Sequence, residues 1–226
     1  MSVVRVIDFE TTGFEPPFQV CEAAYCDYSV NDGYVGDYHS WLCGVDVMPP
    51  DVRAVHHISK SDCEGMPPFD PDTMDDDKVT VFCAHNADFE QKFFQTPKPF
   101  ICTYKSALRV WPDAPSHSNG ALRYWLEDQG KIEPENEKTQ PSHRAGPDAY
   151  VTAWILKGLF NEGATGKQMV EWTKEPRLLI KCPIGKFRGI PWSDVDMGFL
   201  AWMIKQQDMG HDLKWNASRE IERRNK

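Results

Sequence analysis

The chain has 226 residues, 41% of them hydrophobic and 26% charged, enough for one substantial globular domain with at most a small appendage. No apolar run approaches the ~18 residues of a membrane span. Net charge is −9 but uneven: residues 1–150 carry 12 Lys+Arg against 25 Asp+Glu, and residues 151–226 carry 13 against 9. An acidic body excludes a protein that grips duplex DNA by bulk charge alone, and suits a metal-centred body with a basic accessory region. The first residues show no basic region, apolar core or cleavage site of a secretory signal. The seven cysteines are odd in number and scattered, without C-x-x-C or zinc spacing. They read as reduced thiols of a cytoplasmic protein.

Val3–Phe9 is a β-branched strand that runs into Asp8 and Glu10 and then Thr-Thr-Gly. Side chains alternate along a strand, so positions 8 and 10 share a face about 7 Å apart. Two like charges so placed repel unless something positive lies between them, and a divalent metal is the usual solution. A surface strand with two solvated acids is the alternative. Val20–Tyr28 and Tyr34–Leu42 form two more strands around the hairpin signal Asn31-Asp32-Gly33, which makes the first three an antiparallel meander. Pro49-Pro50-Asp51 opens a short helix through Ala54–Ile58. Residues 59–77 read as loop, and Lys78–Ala84 as a strand buried on both faces.

Asn86 then caps a helix with Phe89 and Phe93 on its inner side, broken at Pro97-Lys98-Pro99. Phe100–Thr103 is a fifth strand. It leads into a helix through Leu108 and Trp111. Another helix runs from Asn119 to about Gln129. Residues 130–142 read as a mobile loop. Pro147 sits in the first turn of a long amphipathic helix, Ala149–Phe160. A further helix spans about Lys167–Lys174. Strands followed by alternating strands and helices predict an α/β domain with a mixed sheet, residues 1–175. Beyond it, residues 176–226 read as a small module. Its elements are a hairpin of Leu178–Cys182 with Gly185–Ile190, then helices over Trp192–Gln206 and Leu213–Arg224.

Three pieces stand in order: D-x-E-T-T-G at Asp8 on the first strand, H-N-A-x-F-[acid] at His85 after a later strand, and H-x-x-x-x-D from His143 to Asp148 opening a late helix. Each is weak alone. Together they resemble the DnaQ-like exonucleases of the DEDDh type, over roughly residues 3–160. The resemblance implies an RNase H-like mixed five-stranded sheet flanked by helices, and 3′→5′ exonuclease activity. It implies that Asp8, Glu10 and Asp148 ligate two Mg²⁺ or Mn²⁺ ions, with His143 as general base. It also implies that Thr11, Phe14, His56 and Asn86 hold the terminal nucleotide. The fourth acid departs from the family pattern, where Asp follows the Phe. Here that position is Glu90, and an Asp stands two residues earlier at 88. The two point about 200° apart on a helix, so one must be chosen; register favours Glu90, and Asp88 stays open.

The chemistry fits independently. Phosphodiester hydrolysis needs an activated water, charge stabilisation and a relieved leaving oxygen, and two ions about 3.5–4 Å apart serve all three. A histidine titrates near neutrality and suits the base. The segment Pro183–Trp192 with Phe199-Leu200-Ala201-Trp202-Met203 resembles the C-terminal module of the exodeoxyribonuclease X sub-family. Lys181, Lys186, Arg188, Arg219, Arg223 and Arg224 are its candidate phosphate contacts, while Trp192, Phe199 and Trp202 read as packing residues. The expected partner is nucleic acid: DNA 3′ ends, with RNA 3′ ends and a non-catalytic binding module as alternatives. The expected setting is DNA repair or degradation.

Overall fold

The computed structural model describes residues 2–226. Its centre is a five-stranded sheet in the order β3-β2-β1-β4-β5, formed by β1 (Val3–Thr11), β2 (Val20–Ser29), β3 (Tyr34–Leu42), β4 (Val79–Ala84) and β5 (Phe100–Cys102). The meander β1-β2-β3 is antiparallel, and β4 runs parallel to both β1 and β5. The helices are α1 (Pro50–His56), α2 (Ala87–Glu90), α3 (Thr103–Val110), α4 (Asn119–Asp128), α5 (Ala145–Asn161), α6 (Gly166–Lys174), α7 (Met197–Lys205) and α8 (His211–Arg224). The expected RNase H-like mixed sheet flanked by helices is the observed fold.

Strand alternation divides the core in two. Val4, Val6, Ala24, Cys26 and Tyr28 face α5 on one side of the sheet. Ile7, Phe9, Ala23, Phe82 and Phe94 pack with Met74 on the other. Each fully buried aliphatic or Phe side chain contributes about 1.5–3 kcal/mol. α5 is less one-sided than the long amphipathic helix expected, and it starts earlier, at Ala145. It is buried round nearly its whole circumference, because strands cover one side and α3, α4 and the 130–142 segment cover the rest. Gly146 lets its first turn lie against β3: a Cβ there would stand 2.5 Å from the Tyr38 ring.

Three further expectations are corrected. The 130–142 segment is tied down: Ile132 and Thr139 are buried, and Lys138 Nζ pairs with Asp37 at 2.6 Å. β4 is not buried on both faces throughout, since Thr80 is exposed. The hairpin over 178–190 reduces to one bridge, Lys181 to Pro191. Gly185 and Gly189 take positive φ, +60° and +81°, and the chain between them closes into a 3₁₀ turn, which shortens any ladder. The last fifty residues hold their own apolar cluster around Trp192, Val195, Leu200, Met203 and Ala217.

Candidate active site

β1 pairs with β4 only over Val3–Val6. Its carboxyl end therefore projects past β4, with only β2 beside it: Asp8 stands opposite Ala24 and Glu10 opposite Glu22. In open α/β sheets this end is where ligands bind. Asp8 and Glu10 point toward the first turns of α5, which bring Asp148. One oxygen from each of the three carboxylates lies within 4.8 Å of the others. Asn119 Nδ2 donates to the Asp148 carbonyl at 3.2 Å and to Thr152 Oγ1 at 2.8 Å, which ties the start of α4 to α5 at this point.

Burial and mutual repulsion push these acids upward. Asp8 is held well above the usual carboxylate range, by burial first and then by Asp148, Glu10 and Glu90. Glu10 is raised to about 8 by burial, Asp148 and Glu22, against the opposing Arg144. Asp148 is raised to about 6 by burial, with His143 opposing. Glu90 is raised to about 8 by burial, with Asp88 and Glu10 adding. Protein groups alone thus leave the cluster reluctant to ionise, and a cation among them reverses that. The donors are all hard oxygens, which suits Mg²⁺ or Mn²⁺. Glu90 Oε2 is buried without a hydrogen-bond partner, the kind of atom such an ion satisfies.

Glu90 and Asp88 are oriented differently. Glu90 is 4% exposed and feels the charges of Asp8 and Glu10. Asp88 points outward, its side chain 61% exposed and paired with Lys105 Nζ at 2.9 Å. α2 is a single turn, shorter than expected. Asn86 makes no side-chain capping bond; its carbonyl accepts from the Phe89 N–H at 2.7 Å. The Phe89 and Phe93 rings lie 5.4 Å apart, tilted by 58°, and Phe94 is the ring fully inside, against Phe82.

His143 is exposed on the loop before α5, with φ +59°, a left-handed conformation uncommon for a side-chain-bearing residue. Its backbone N–H donates to Asp148 Oδ2 at 3.2 Å. Sequence reasoning missed what holds this loop. Glu22, 3% exposed, accepts a two-pronged bond from Arg144 at 2.8 and 2.7 Å and a third from the Ala145 N–H at 3.0 Å. Bidentate guanidinium–carboxylate pairs fix orientation as well as distance. The signal was available: Glu22 is the lone acid inside the apolar run Val20-Cys21-Glu22-Ala23-Ala24.

The nucleotide-pocket candidates divide into two groups. Thr11 is buried, its Oγ1 donating to the Gly13 carbonyl at 2.6 Å, and Thr12 Oγ1 accepts from the Gln19 N–H. Phe14 is 73% exposed, and Asn86 is exposed. His56 is 2% exposed. Its Nδ1 accepts from the Ile58 N–H at 3.0 Å; burial pushes its pKa down, and the charge of Glu22 partly offsets that. His56 is thus held inside the fold, whereas Phe14 and Asn86 present free surfaces.

A mixed sheet of this order, with acids converging at the free end of β1, is the frame of an exonuclease of the RNase H-like class. No family model matches the chain. It is 32% identical over 230 residues to Exodeoxyribonuclease 10 of Escherichia coli strain K12, spanning 97% of this chain and 99% of that one. It superposes on exonuclease X in complex with 5′ overhanging duplex DNA at TM-score 0.64 and 30% identity, over 75% of this chain and 99% of that one. Cell-death related nuclease 4 shares the fold at TM-score 0.55 and 15% identity, over 79% of this chain and 72% of that one. The chain belongs to the DnaQ-like 3′–5′ exonucleases, and within them it resembles exodeoxyribonuclease X, as its C-terminal segment implied. Among the described residues, no helix is long and apolar enough to cross a membrane.

Proposed function

We propose that this chain hydrolyses DNA from 3′ ends, releasing 5′-mononucleotides, in DNA repair or degradation in the cytoplasm. The observation that carries the reading is the convergence of Asp8, Glu10 and Asp148 within 4.8 Å of one another, in a chain whose full-length relative is an exodeoxyribonuclease. Residues 1–175 are the nuclease domain and residues 176–226 the accessory module. Asp8, Glu10, Asp148 and Glu90 would hold two divalent cations, Mg²⁺ or Mn²⁺, which supply charge neutralisation at the scissile phosphate. His143 takes the proton of the attacking water; its exposed loop position leaves the imidazole free to approach the substrate. The Glu22–Arg144 pair orients that loop. Phe14 stacks on the terminal base at the lip, Asn86 contacts the same nucleotide, and the buried Thr11 and His56 shape the floor.

The test is digestion of end-labelled DNA and RNA strands, single and double, read at nucleotide resolution with Mg²⁺, with Mn²⁺ and with EDTA. The expected result is a DNA ladder shortening from the 3′ end, abolished by EDTA. Activity that survives EDTA sinks the two-metal reading. Faster loss of RNA than of matched DNA makes the chain an RNA 3′-trimming enzyme instead. Retention of every strand uncut leaves only a binding module.

A further inference from the structure

The C-terminal module contains an aromatic surface that the nuclease reading does not use. Trp192 is core: it is 9% exposed, and its indole N–H donates to the Leu179 carbonyl at 2.6 Å. Trp202 is different. It is 46% exposed and ends a row of rings that runs from the 3₁₀ turn at Gly185–Phe187 onto α7. Phe187 and Phe199 have centroids 5.0 Å apart, and Phe199 and Trp202 5.1 Å apart. The two phenylalanines are half-buried against the module's core, which fixes the row in place.

The cations of the module sort into two groups. Arg224 and Arg223 are occupied. Both hold Glu220 at 2.7 Å, and Arg224 Nη2 also donates to the carbonyls of Trp192, Ser193 and Val195. Arg224 thereby staples α8 to the turn before α7, while Arg223 pairs with Glu220 within α8. Lys186 and Arg188, by contrast, are exposed and have no ion-pair partner among the described residues. Lys186 Nζ lies 5.0 Å from the centroid of Phe187. Lys205, also exposed and unpaired, stands one turn beyond Trp202 on α7, where side chains three apart are neighbours.

From these we infer that Phe187, Phe199 and Trp202, flanked by Lys186, Arg188 and Lys205, form a surface for single-stranded nucleic acid, with bases on the rings and phosphates on the cations. Rings interleaved with free cations are the composition that binds single strands without sequence preference. Charge complementarity favours a polyanion: residues 176–226 carry ten Lys+Arg against six Asp+Glu, on a chain whose net charge is −9. The module supplies the affinity for the strand that the acidic nuclease body lacks. This inference rests on the nuclease reading only for the identity of the strand as DNA.

The test is fluorescence anisotropy of a labelled 20-nucleotide oligothymidylate with the full chain in EDTA, so that nothing is cut. Trp202→Ala should weaken binding about tenfold, or about 1.4 kcal/mol, and Trp202→Phe should keep most of the affinity, since its ring can still stack on a base. Lys186→Ala combined with Arg188→Ala should reduce the salt slope by about 0.7 for each phosphate that is no longer neutralised. The inference is overturned by wild-type affinity in Trp202→Ala together with an unchanged salt slope. It is equally overturned by Trp202→Phe binding as weakly as Trp202→Ala at an unaltered melting temperature. Digestion of the same strand by the wild-type chain with Mg²⁺, read separately, tests the nuclease reading: a chain that binds but does not cut fails that reading and leaves this one standing.

Discussion

Glu90 and Glu220 are buried to a similar degree, 4% and 7% exposed, and they titrate in opposite directions. Glu220 sits between Arg223 and Arg224 in the C-terminal module, and its carboxyl is held down at about 2. Glu90 sits among Asp8, Glu10 and Asp88 in the nuclease body, and is pushed up to about 8. Burial is the largest push on Glu90, with Asp88 and Glu10 adding to it, whereas at Glu220 the bonds from Arg223 and Arg224 outweigh burial. The module completes its own charge balance with protein cations. The nuclease body leaves the balance open at one place, where an oxygen of Glu90 has no partner. Crowding these carboxyls costs the fold stability there, and a cation bound among them would restore it.

The sharpest way to break this contrast is Asp8→Ala, which removes the acid nearest all the others. Activity should fall to the assay background, and the rise in melting temperature on adding Mg²⁺ should vanish with it; persistence of either would show that the cluster is not where the cation acts. His143→Ala leaves the cluster whole and removes the proposed base. It should slow turnover by roughly 10²–10⁴-fold with an unchanged circular dichroism spectrum, and neutral-pH turnover like the wild type removes His143 from the mechanism.

Glu90→Gln should slow turnover by about 10–100-fold, as loss of a supporting ligand does, whereas Asp88→Asn should leave turnover alone and remove only a surface pair of ~0.2–1 kcal/mol. The reverse ranking would transfer the role to Asp88.

The smallest effect is on stability against pH. Glu10 and Glu90 at about 8 and Asp148 at about 6 all lie above their unfolded values near 4. The native state therefore binds more protons than the unfolded one between about pH 4 and 8, and these groups make stability fall as pH rises through that window. Glu220 acts oppositely: its contribution is full above its unfolded value and is lost as pH falls toward about 2. Melting temperatures in EDTA should decline from pH 5 to 8, and Mg²⁺ should flatten the decline. A profile that rises over that range in EDTA would falsify the crowding argument.

Much of this was legible in the chain. The alternation of Val3–Phe9, the Asn31-Asp32-Gly33 turn and the order of the three motifs were enough for the sheet and for the acids on it. What escaped did so for physical reasons. Glu22 is a single charged residue in an apolar strand, and its meaning depends on Arg144, 122 residues away, which no local pattern reveals. The hairpin after residue 178 failed because two glycines at positive φ close a turn that propensity reads as strand. Trp192 and Trp202 look alike as letters, yet one lies inside the module and the other on its surface. Arg223 and Arg224 read as free basic residues, until Glu220 was found beneath them.

The contact of Gly146 with Tyr38 makes the edge strand a spacer that sets how closely α5 approaches the sheet. The gap has no room for even one methyl group. A larger residue there removes little apolar burial, so the domain should survive it. Its first turn, however, must shift outward and carry Asp148 and the His143 loop along, and displacements near 1 Å can cost about a hundredfold in rate. Position 146 therefore uncouples two properties that most core substitutions lose together: a chain altered there stays folded and soluble while its site falls out of alignment.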